Sequence, residues 1–370
     1  MRILYLCKRH YMGHDVIEDK YARLYEQPYQ LAKLSNDVLG VCLSYRPCQG
    51  KNEYHQIDNG SLNWIGYSSG NFREKIFSYP SKALKIAKEF QPDIIVGASD
   101  CLHIILGQWL AKKLNAKFAA DLYDDYETFG LAKIPFVKYL YRQALRKASV
   151  ISCVSLSLTN YIKENIACNV HIFALPSTIN RDLFYPKSKN ESRKFLGLPE
   201  KMKLVGTAGG LTKDKGIETV YEAFIELSKL SPNLHFALAG PIDLNCPPPQ
   251  HDRIHYLGKL NHAQIGDFFS SLDVGIVYLR DTKYGQLSFP QKAYEMAACK
   301  IPMVSAEVGD MRLLFSKDHN ELYCADNTME LVAAITQQLK NPYIPELTIE
   351  TWEQQAVKLN SCYQLVIPLS

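Results

Sequence analysis

The sequence predicts an α/β protein of two domains, each built around a parallel sheet. Three observations support this prediction. The chain has 370 residues, which is more than one hydrophobic core usually supports. Short apolar runs alternate with amphipathic helical patterns along almost its whole length. One polar stretch, at residues 176–190 with Pro176 and Pro186, interrupts this alternation and marks a domain boundary.

The strand and helix patterns follow one another in two series. The first predicts strands at residues 3–7, 38–43, 93–97, 118–122, 150–154 and 170–173, and helices at 81–90, 102–114, 136–147 and 156–164. The second predicts strands at 204–208, 235–239, 254–257, 274–278 and 303–305, and helices at 217–230, 263–270, 290–299 and 329–339. Such alternation is typical of parallel sheets with right-handed crossovers. We therefore expect domains at 1–185 and 186–350, with ligands bound at carboxyl ends of strands that face an interdomain cleft.

Composition and charge exclude several classes of protein. The chain is 47% hydrophobic and 22% charged, which is ordinary for a soluble globular protein. No run approaches the roughly 20 apolar residues that span a bilayer, and the N-terminal apolar run is too short for a signal peptide. The ten cysteines lack metal-binding spacing and are interpreted as reduced thiols, which favours the cytoplasm. Residues 1–185 are mildly basic, which suits a phospholipid surface but is too little for nucleic acid.

The helical pattern at residues 136–147 is a candidate for contact with an anionic membrane surface. Lys138, Arg142 and Arg146 follow one another at intervals of four residues, so they share one helix face beside apolar side chains. This pattern predicts peripheral association with the inner face of the membrane. The alternative is a solvated helix face.

The loop at residues 206–216 follows a predicted strand and contains the adjacent glycines Gly209 and Gly210. Adjacent glycines allow backbone N–H groups to approach an anion closely, as phosphate-binding loops require. Lys215 is placed to contact a diphosphate as a point charge. The loop is neither a dinucleotide fingerprint nor a Walker A loop, which disfavours a dehydrogenase or an ATPase. The alternative is a flexible turn with solvated lysines.

The second candidate loop covers residues 284–299. Ser288, Phe289 and the proline that follows mark the start of a helix, where unpaired N–H groups and the helix dipole favour a phosphate. Lys292 and Glu295 are three residues apart and therefore share one face of that helix. A lysine near phosphates and a carboxylate that accepts from ribose hydroxyls predict a sugar-nucleotide site. The alternative is an ordinary surface Lys–Glu pair.

These two loops resemble the donor site of a known family. The second loop is similar to the signature of retaining family-4 glycosyltransferases with the GT-B fold, in the variant Ser-x-Pro-x-Lys-x-aromatic-Glu followed by Met-Ala-Ala and an Ile-Pro-Met-Val strand. The first loop resembles the phosphate loop of that family, which ends in Lys-Gly before a helix. The resemblance extends over residues 176–325 and, more weakly, over 118–175.

The resemblance implies a GT-B fold, with two Rossmann-like domains whose parallel sheets face an interdomain cleft. The domain at 1–185 would bind the acceptor, and the domain at 186–350 would bind the nucleotide sugar. A last helix at 351–370, with Trp352 and Tyr363, would pack back on the N-terminal domain. The resemblance also implies chemistry without a metal, and no cofactor beyond a UDP- or GDP-linked sugar as co-substrate.

The sequence departs from the family pattern at two positions. Leu287 stands where the family usually has the first of two glutamates, and Glu295 occupies the second position. We therefore expect backbone N–H groups of Ser288 and Phe289 to contact the donor sugar. The arginine often found in the phosphate loop is replaced by Gly210. Two lysines, Lys215 and Lys292, then become the main cationic groups.

Two further candidates lie in the predicted N-terminal domain. Asp124 follows the strand at 118–122, where many members of the family have a histidine or an acidic pair beside the reacting sugar. The alternative for Asp124 is a solvated acidic loop or a helix cap. Gly13 and His14 lie in the first strand-to-helix loop and are candidates on the acceptor or phosphate side. A structural or exposed histidine is the alternative there.

The expected activity is transfer of a sugar from a nucleoside-diphosphate sugar to a hydroxyl acceptor with retention of configuration. The acceptor is expected to be lipid-linked or a saccharide, in cell-envelope polysaccharide or lipopolysaccharide synthesis. The predicted catalytic residues are Asp124, Lys215 and Lys292. Two alternatives share the fold: a sugar-nucleotide 2-epimerase, and a non-catalytic sugar-nucleotide-binding protein, which the leucine at position 287 favours.

Overall fold

The computed structural model describes the chain except residues 12, 58, 69–71, 316–320 and 368–370, and the side chains of residues 72–77 are also left undescribed. The chain divides into two compact units, residues 1–177 with 350–370 and residues 178–349. We call them the N-terminal unit and the C-terminal unit. The division falls at Ser177 rather than after residue 185, because Ile179 and Phe184 are buried in a core of the C-terminal unit.

The strands of the described chain belong to three sheets. In the N-terminal unit they are β1 (Arg2–Lys8), β2 (His10–Tyr11), β3 (His14–Asp15), β4 (Asp37–Ser44), β5 (Lys51–Ile57), β6 (Gly60–Ser68), β7 (Ile94–Ala98), β8 (Lys117–Leu122), β9 (Val150–Cys153) and β10 (His171–Ala174). In the C-terminal unit they are β11 (Lys203–Ala208), β12 (Leu234–Ala239), β13 (Ile254–Tyr256), β14 (Val274–Val277), β15 (Met303–Ala306) and β16 (Leu322–Tyr323).

The helices lie between these strands in chain order. They are α1 (Ala22–Lys33), α2 (Phe72–Phe90), α3 (Cys101–Leu114), α4 (Pro135–Arg146), α5 (Leu156–Asn165), α6 (Lys189–Leu196), α7 (Ile217–Leu230), α8 (His262–Ser271), α9 (Lys283–Leu287), α10 (Lys292–Ala298), α11 (Met311–Leu314), α12 (Thr328–Lys340) and α13 (Trp352–Val366). The last of them, α13, belongs to the N-terminal unit, where its Leu359 and Tyr363 lie in the core.

Both large sheets are dominated by parallel pairing, as the alternating pattern predicts. The order in the N-terminal unit is β10-β9-β8-β7-β1-β4-β6-β5, and the order in the C-terminal unit is β13-β12-β11-β14-β15-β16. Among the strands of these two sheets, only the edge strand β5 runs antiparallel to its neighbour, which is β6. Helices cover both faces of a parallel sheet, which explains why β1 is buried from Ile3 to Cys7.

Several parts of the N-terminal unit differ from the sequence prediction, among them the β2–β3 hairpin and the start of α2 at Phe72, and two of the differences have a clear cause in the sequence. The pair β5 and β6 was not predicted, because β5 reads Lys-Asn-Glu-Tyr-His-Gln-Ile and alternates between half-buried and exposed residues. Such an edge strand has no apolar run to signal it. Helix α1 was not predicted either, because Pro28 lies inside it and a proline normally interrupts a helical pattern.

A buried ion pair connects α1 to the central sheet of the N-terminal unit. The Arg23 guanidinium donates to both carboxylate oxygens of Asp121, at 2.9 and 2.6 Å, and also donates to the Leu175 carbonyl. Ser152 donates its hydroxyl to Asp121 at 2.6 Å. Both charged side chains are at most 1% exposed. The pair is therefore satisfied on several sides, as a buried charge must be.

Candidate functional site

The glycine loop after β11 has a backbone that only glycine adopts easily. Gly209 has φ +111°, and Gly240 has φ +124°. The two backbones also approach closely: a Cβ placed on Gly240 would lie 2.0 Å from the carbonyl oxygen of Gly209. The N–H of Gly209 donates to the Ala239 carbonyl at 3.0 Å. This bond corrects the expectation that both glycine amides face a ligand. Because Gly209 has no side chain, it instead leaves space beside Nζ of Lys292.

The two predicted loops meet at this pair of glycines. Nζ of Lys292, from the second loop, lies 3.7 Å from where a Cβ of Gly209 would stand. Nζ of Lys215, from the first loop, lies 3.3 Å from where a Cβ of Gly210 would stand. Lys292 also donates to Oγ1 of Thr207 at 3.5 Å. Both ammonium groups are thus held at the carboxyl end of β11, the edge where parallel sheets bind ligands.

The electrostatics of this site favour an anion. The pKa of Lys292 is lowered to about 7, mainly by burial and also by the nearby charge of Lys215, while Glu295 opposes the change. Burial raises the pKa of Glu295 to about 7, and Lys292 opposes that rise. Repulsion between two cations in a partly desolvated site is relieved when an anion binds between them. A diphosphate is an anion of suitable charge for this role.

Two residues that sequence reasoning missed fix the glycine loop in place. Tyr278 donates its hydroxyl to the Gly210 carbonyl at 2.6 Å, and its ring centre lies 4.3 Å from Nζ of Lys292. Arg280 donates to the Lys213 carbonyl at 2.9 Å and pairs with Glu218 at 2.7 Å. Both follow β14 directly. Both residues follow a predicted buried strand, and the carboxyl ends of parallel strands lie at one edge of a sheet. This position could have identified them from the sequence as candidates for the same site as the glycines.

The second loop has a different local structure from the predicted one. Helix α10 starts at Lys292, two residues after the predicted proline start, and its N-cap Gln291 makes no side-chain cap bond. Ser288 ends the preceding short helix, and its N–H donates to the Tyr284 carbonyl at 3.0 Å. The expectation that the Ser288 amide contacts the donor is therefore corrected. The Phe289 ring packs against Tyr294 at 4.8 Å between ring centres.

Leu287 is only 6% exposed. It packs in the interior where the family pattern has a carboxylate, so this position supplies no charge to the site.

In the N-terminal unit, Asp124 lies near a lysine that the sequence analysis did not single out. Lys8, at the end of β1, has its Nζ 5.3 Å from the ring centre of Tyr123. Burial lowers the pKa of Lys8, and the carboxylates of Asp100 and Asp124 oppose this shift. Oδ1 of Asp124 accepts from the N–H of Asp125 at 2.9 Å. The ends of β1, β7 and β8 thus bring one cation and two carboxylates to one sheet edge.

Gly13 and His14 have separate surroundings. Gly13 has φ +85° and lines a polar cavity of about 500 Å³ together with Arg9, Asp15 and other charged residues. His14 lies in the hairpin of β2 and β3, where Nδ1 is 3.4 Å from Asp19 and the ring stacks on Tyr21. The structure therefore brings Gly13 to a cavity and gives His14 partners within its own loop.

The basic face of α4 has internal partners. Lys138 and Arg142 both pair with Glu127, at 3.1 and 2.5 Å. Arg146 donates to the Ile166 carbonyl at 2.9 Å. The three cations are thus spaced so that each one contacts a partner inside the N-terminal unit. Contact of this helix face with a membrane stays a prediction.

The described residues carry neither a metal-binding cluster nor a membrane-spanning helix. Among them, no group of three or more His, Cys, Asp or Glu side chains is arranged to hold a metal ion. No helix in the described part of the chain combines the length and the hydrophobicity needed to cross a bilayer.

Comparison with known proteins defines the class of this chain. Residues 202–341 match the family model of glycosyl transferases, group 1. This range contains the glycine loop, both lysines and Glu295. The chain therefore has a group 1 glycosyltransferase domain in its C-terminal unit, and the predicted resemblance to GT-B glycosyltransferases is confirmed.

Individual relatives agree with this class. The chain is 26% identical over 240 residues to the putative teichuronic acid biosynthesis glycosyltransferase TuaC of Bacillus subtilis, a match that covers 62% of this chain and 59% of the relative. It is 27% identical over 183 residues to alpha-monoglucosyldiacylglycerol synthase of Streptococcus pneumoniae, covering 46% of this chain and 41% of the relative. The matches thus span less than two thirds of the length of these two relatives.

Solved structures show the fold. Sucrose-phosphate synthase from Thermosynechococcus elongatus superimposes with a TM-score of 0.70 at 16% identity, covering 99% of this chain and 94% of that one. Anabaena HepE in complex with UDP-glucose superimposes with a TM-score of 0.66 at 15% identity, covering 99% and 95%. The predicted fold class, GT-B with two Rossmann-like parallel-sheet domains, is confirmed.

Proposed function

We propose that this chain transfers a sugar from a UDP- or GDP-linked sugar to a hydroxyl acceptor with retention of configuration. One observation supports this most directly: Lys215 and Lys292 come from different loops and place their ammonium groups beside the same two glycines. A surface turn with solvated lysines would not hold one of them in a partly desolvated position near the other. A bound diphosphate accounts for the arrangement.

The proposed roles follow from where charge develops in the reaction. As the bond between sugar and diphosphate breaks, negative charge grows on the phosphate oxygens, and preorganised cations stabilise it. Lys215 and Lys292 perform this role, and the Gly210 and Phe289 segments approach the diphosphate and the sugar. Glu295 accepts from the ribose hydroxyls. Asp124 orients a sugar or acceptor hydroxyl from the N-terminal unit.

The donor and the pathway are proposed from the comparisons. HepE is a structural neighbour whose solved complexes contain UDP, UDP-glucose, or UDP with glucose. The names of two relatives refer to teichuronic acid and to a glucosylated diacylglycerol. We infer that the product belongs to the cell envelope, as a polysaccharide or lipopolysaccharide precursor, and that the chain acts in the cytoplasm at the inner face of the membrane.

Replacement of Lys215 tests this function. Loss of one preorganised group of this kind lowers turnover by about 10²–10³-fold, so we expect Lys215→Ala to lower the rate of donor consumption by at least ~10²-fold. The matched control is Lys229→Ala, because Lys229 is 61% exposed on α7 and pairs only with Glu226 among the contacts described for it. A decrease smaller than about 5-fold for Lys215→Ala would remove this lysine from the mechanism.

A second candidate function is supported by Leu287. Because this buried leucine replaces a family carboxylate, the chain is also a candidate for a protein that binds a sugar nucleotide without turning it over. Calorimetric titration with the donor and a turnover assay on the same sample separate the two functions. Binding with no turnover in the presence of acceptors would support the second.

A further inference from the structure

Tyr278 is a buried tyrosine whose ring and hydroxyl contact two different parts of the candidate donor site. It follows β14 directly and is 2% exposed. Its hydroxyl donates to the Gly210 carbonyl at 2.6 Å, and Nζ of Lys292 lies 4.3 Å from its ring centre. Gly210 belongs to the loop at residues 206–216, and Lys292 belongs to the loop at residues 284–299. One side chain therefore connects the two predicted loops.

The hydroxyl of Tyr278 holds the backbone beside the other lysine of the site. Burial raises the pKa of Tyr278, so the hydroxyl keeps its proton at neutral pH and remains a donor. Its acceptor, Gly210, is the residue whose missing side chain leaves room for Lys215, since Nζ of Lys215 lies 3.3 Å from where a Cβ of Gly210 would stand. The bond therefore fixes the piece of backbone against which Lys215 lies.

The ammonium group of Lys292 is held by two uncharged groups. One is the ring of Tyr278, because the negative face of an aromatic ring attracts a cation within about 6 Å of its centre. The other is Oγ1 of Thr207, which accepts from Lys292 at 3.5 Å. Thr207 gives its own hydroxyl proton to the Ile276 carbonyl at 2.8 Å, so its oxygen is free to accept from the lysine.

Lys292 is thus positioned without being neutralised. In the described part of the chain no carboxylate forms an ion pair with it, and the charged side chains that act on it are Lys215 and Glu295. A carboxylate in the place of the Tyr278 ring would hold the ammonium group more firmly, but it would also cancel the charge offered to an anion. An aromatic ring leaves that charge available. This arrangement suits a lysine that has to attract a diphosphate.

We propose that Tyr278 is a positioning residue for the sugar transfer: its ring holds the charged ammonium group of Lys292, and its hydroxyl holds the glycine loop beside Lys215. The inference rests on the proposed transferase function, in which both lysines stabilise the departing diphosphate. The alternative is an ordinary core tyrosine, and the electron density of such a ring would have no influence on Lys292.

The first test measures the charge of Lys292 in the chain without sugar nucleotide, so that it does not depend on turnover. NMR titration of isotope-labelled lysines reports the pKa of Lys292, and Lys292→Arg assigns its signal. The variants are Tyr278→Phe and the replacement of Tyr278 by a ring-trifluorinated phenylalanine. Their rings are similar in size, but fluorine withdraws electrons and weakens the attraction for a cation.

The pKa of Lys292 should be lower in the fluorinated variant than in Tyr278→Phe, by at least about half a unit. Equal values in the two variants would overturn the proposal, because a ring with a purely structural role does not respond to fluorine. A ring-fluorinated tyrosine at the same position keeps the hydroxyl bond. If the phenylalanine variants do not fold, its comparison with the native chain decides in the same way.

The second test concerns the hydroxyl. Tyr278→Phe leaves the Gly210 carbonyl without its donor, so we expect kcat for the sugar nucleotide that the native chain turns over to fall about 5–10-fold. The matched control is Tyr221→Phe, since Tyr221 is 6% exposed in the same core and its hydroxyl has no partner among the described residues. Equal kcat values for the two variants would contradict the role of the hydroxyl.

Failure of this proposal can be told apart from failure of the proposed function. A pKa of Lys292 that responds to fluorine, in a chain that turns over no donor, would support the contact with Tyr278 and contradict the transferase. Turnover by the native chain, with a pKa of Lys292 that does not respond to fluorine, would support the transferase and contradict the role of the Tyr278 ring.

Discussion

The proposed donor site depends on the charge state of individual side chains. Lys292 is half-buried and stands near a second cation, so its proton is held less firmly than that of a surface lysine. Glu295, one turn further along α10, is ionised less easily than a surface glutamate for the same reason of burial. The charge at this position therefore changes near neutral pH, where ordinary Lys and Glu side chains do not titrate.

This environment predicts a pH dependence of donor binding. Because the pKa of Lys292 is lowered to about 7, its charge is present below that pH and is lost as the pH rises through it. The pKa of Glu295 is raised to about 7, so a negative charge appears over the same range. Both changes disfavour a diphosphate. We expect the affinity for UDP-glucose or another bound sugar nucleotide to decrease from about pH 6 to pH 9.

Two substitutions test this prediction, because they keep the size of the side chains but prevent their charges from changing between pH 6 and pH 9. Lys292→Arg stays protonated throughout the range, and Glu295→Gln cannot ionise. The double variant should bind more weakly overall but show an affinity independent of pH in calorimetric titrations. A double variant with the same slope as the native chain would mean that other groups cause the dependence.

At the scale of elements, position in the sheet decides which residues form the site. Strands β11 and β14 are neighbours. The glycine loop after one and Tyr278 after the other therefore meet, although Gly210 and Tyr278 are 68 residues apart along the chain. The bond from Tyr278 to the Gly210 carbonyl follows from this pairing. In the N-terminal unit, the neighbours β1, β7 and β8 bring Lys8, Asp100 and Asp124 together in the same way.

The connection between α1 and β8 predicts a large stability effect. Asp121→Asn removes the charge that balances Arg23 in a nearly inaccessible position, and breaking one side of a buried ion pair costs about 3–5 kcal/mol. We expect the free energy of unfolding of the N-terminal unit to decrease by that amount in urea titrations. The matched control is Asp37→Asn, since Asp37 is exposed and accepts from Ser61 at 2.8 Å, and a change below about 0.5 kcal/mol is expected. Equal effects of both substitutions would contradict this.

At the scale of the whole molecule, the chain consists of two units, and one of them holds the proposed donor site. The group 1 glycosyltransferase domain lies in the C-terminal unit, together with the two lysines and Glu295. The donor is therefore expected to stabilise the C-terminal unit first.

Donor binding should be visible as thermal stabilisation. A ligand at 100 times its dissociation constant stabilises the folded state by about 2.7 kcal/mol. We expect a UDP- or GDP-linked sugar to raise the unfolding temperature, with one base clearly preferred. The shift should persist in EDTA, because the resemblance implies that no metal takes part. In a Lys215→Ala/Lys292→Ala double variant, the donor should not raise the unfolding temperature. An increase as large as that of the native chain would show that the two lysines do not contribute to donor binding.

Much of the fold was predictable because it depends on local patterns. Buried parallel strands such as β1 and β7 appear as short apolar runs, and helices such as α7 appear as apolar stripes. The exceptions have physical causes. The edge strand β5 buries too little surface to show a pattern, and α1 contains a proline that only its packing against the sheet and α13 can offset.

The sequence by itself determined the two-unit α/β architecture, the glycine loop, and the identity of Lys215, Lys292 and Glu295 as candidates, because each of these depends on neighbouring residues. Tertiary structure alone decided that Tyr278 and Arg280 hold the loop, and that the carboxylates of Asp100 and Asp124 come close enough to act on the charge of Lys8. It also decided that the amides of Gly209 and Ser288 are paired within the protein. These features depend on which strand ends become neighbours, and a linear pattern does not encode that order.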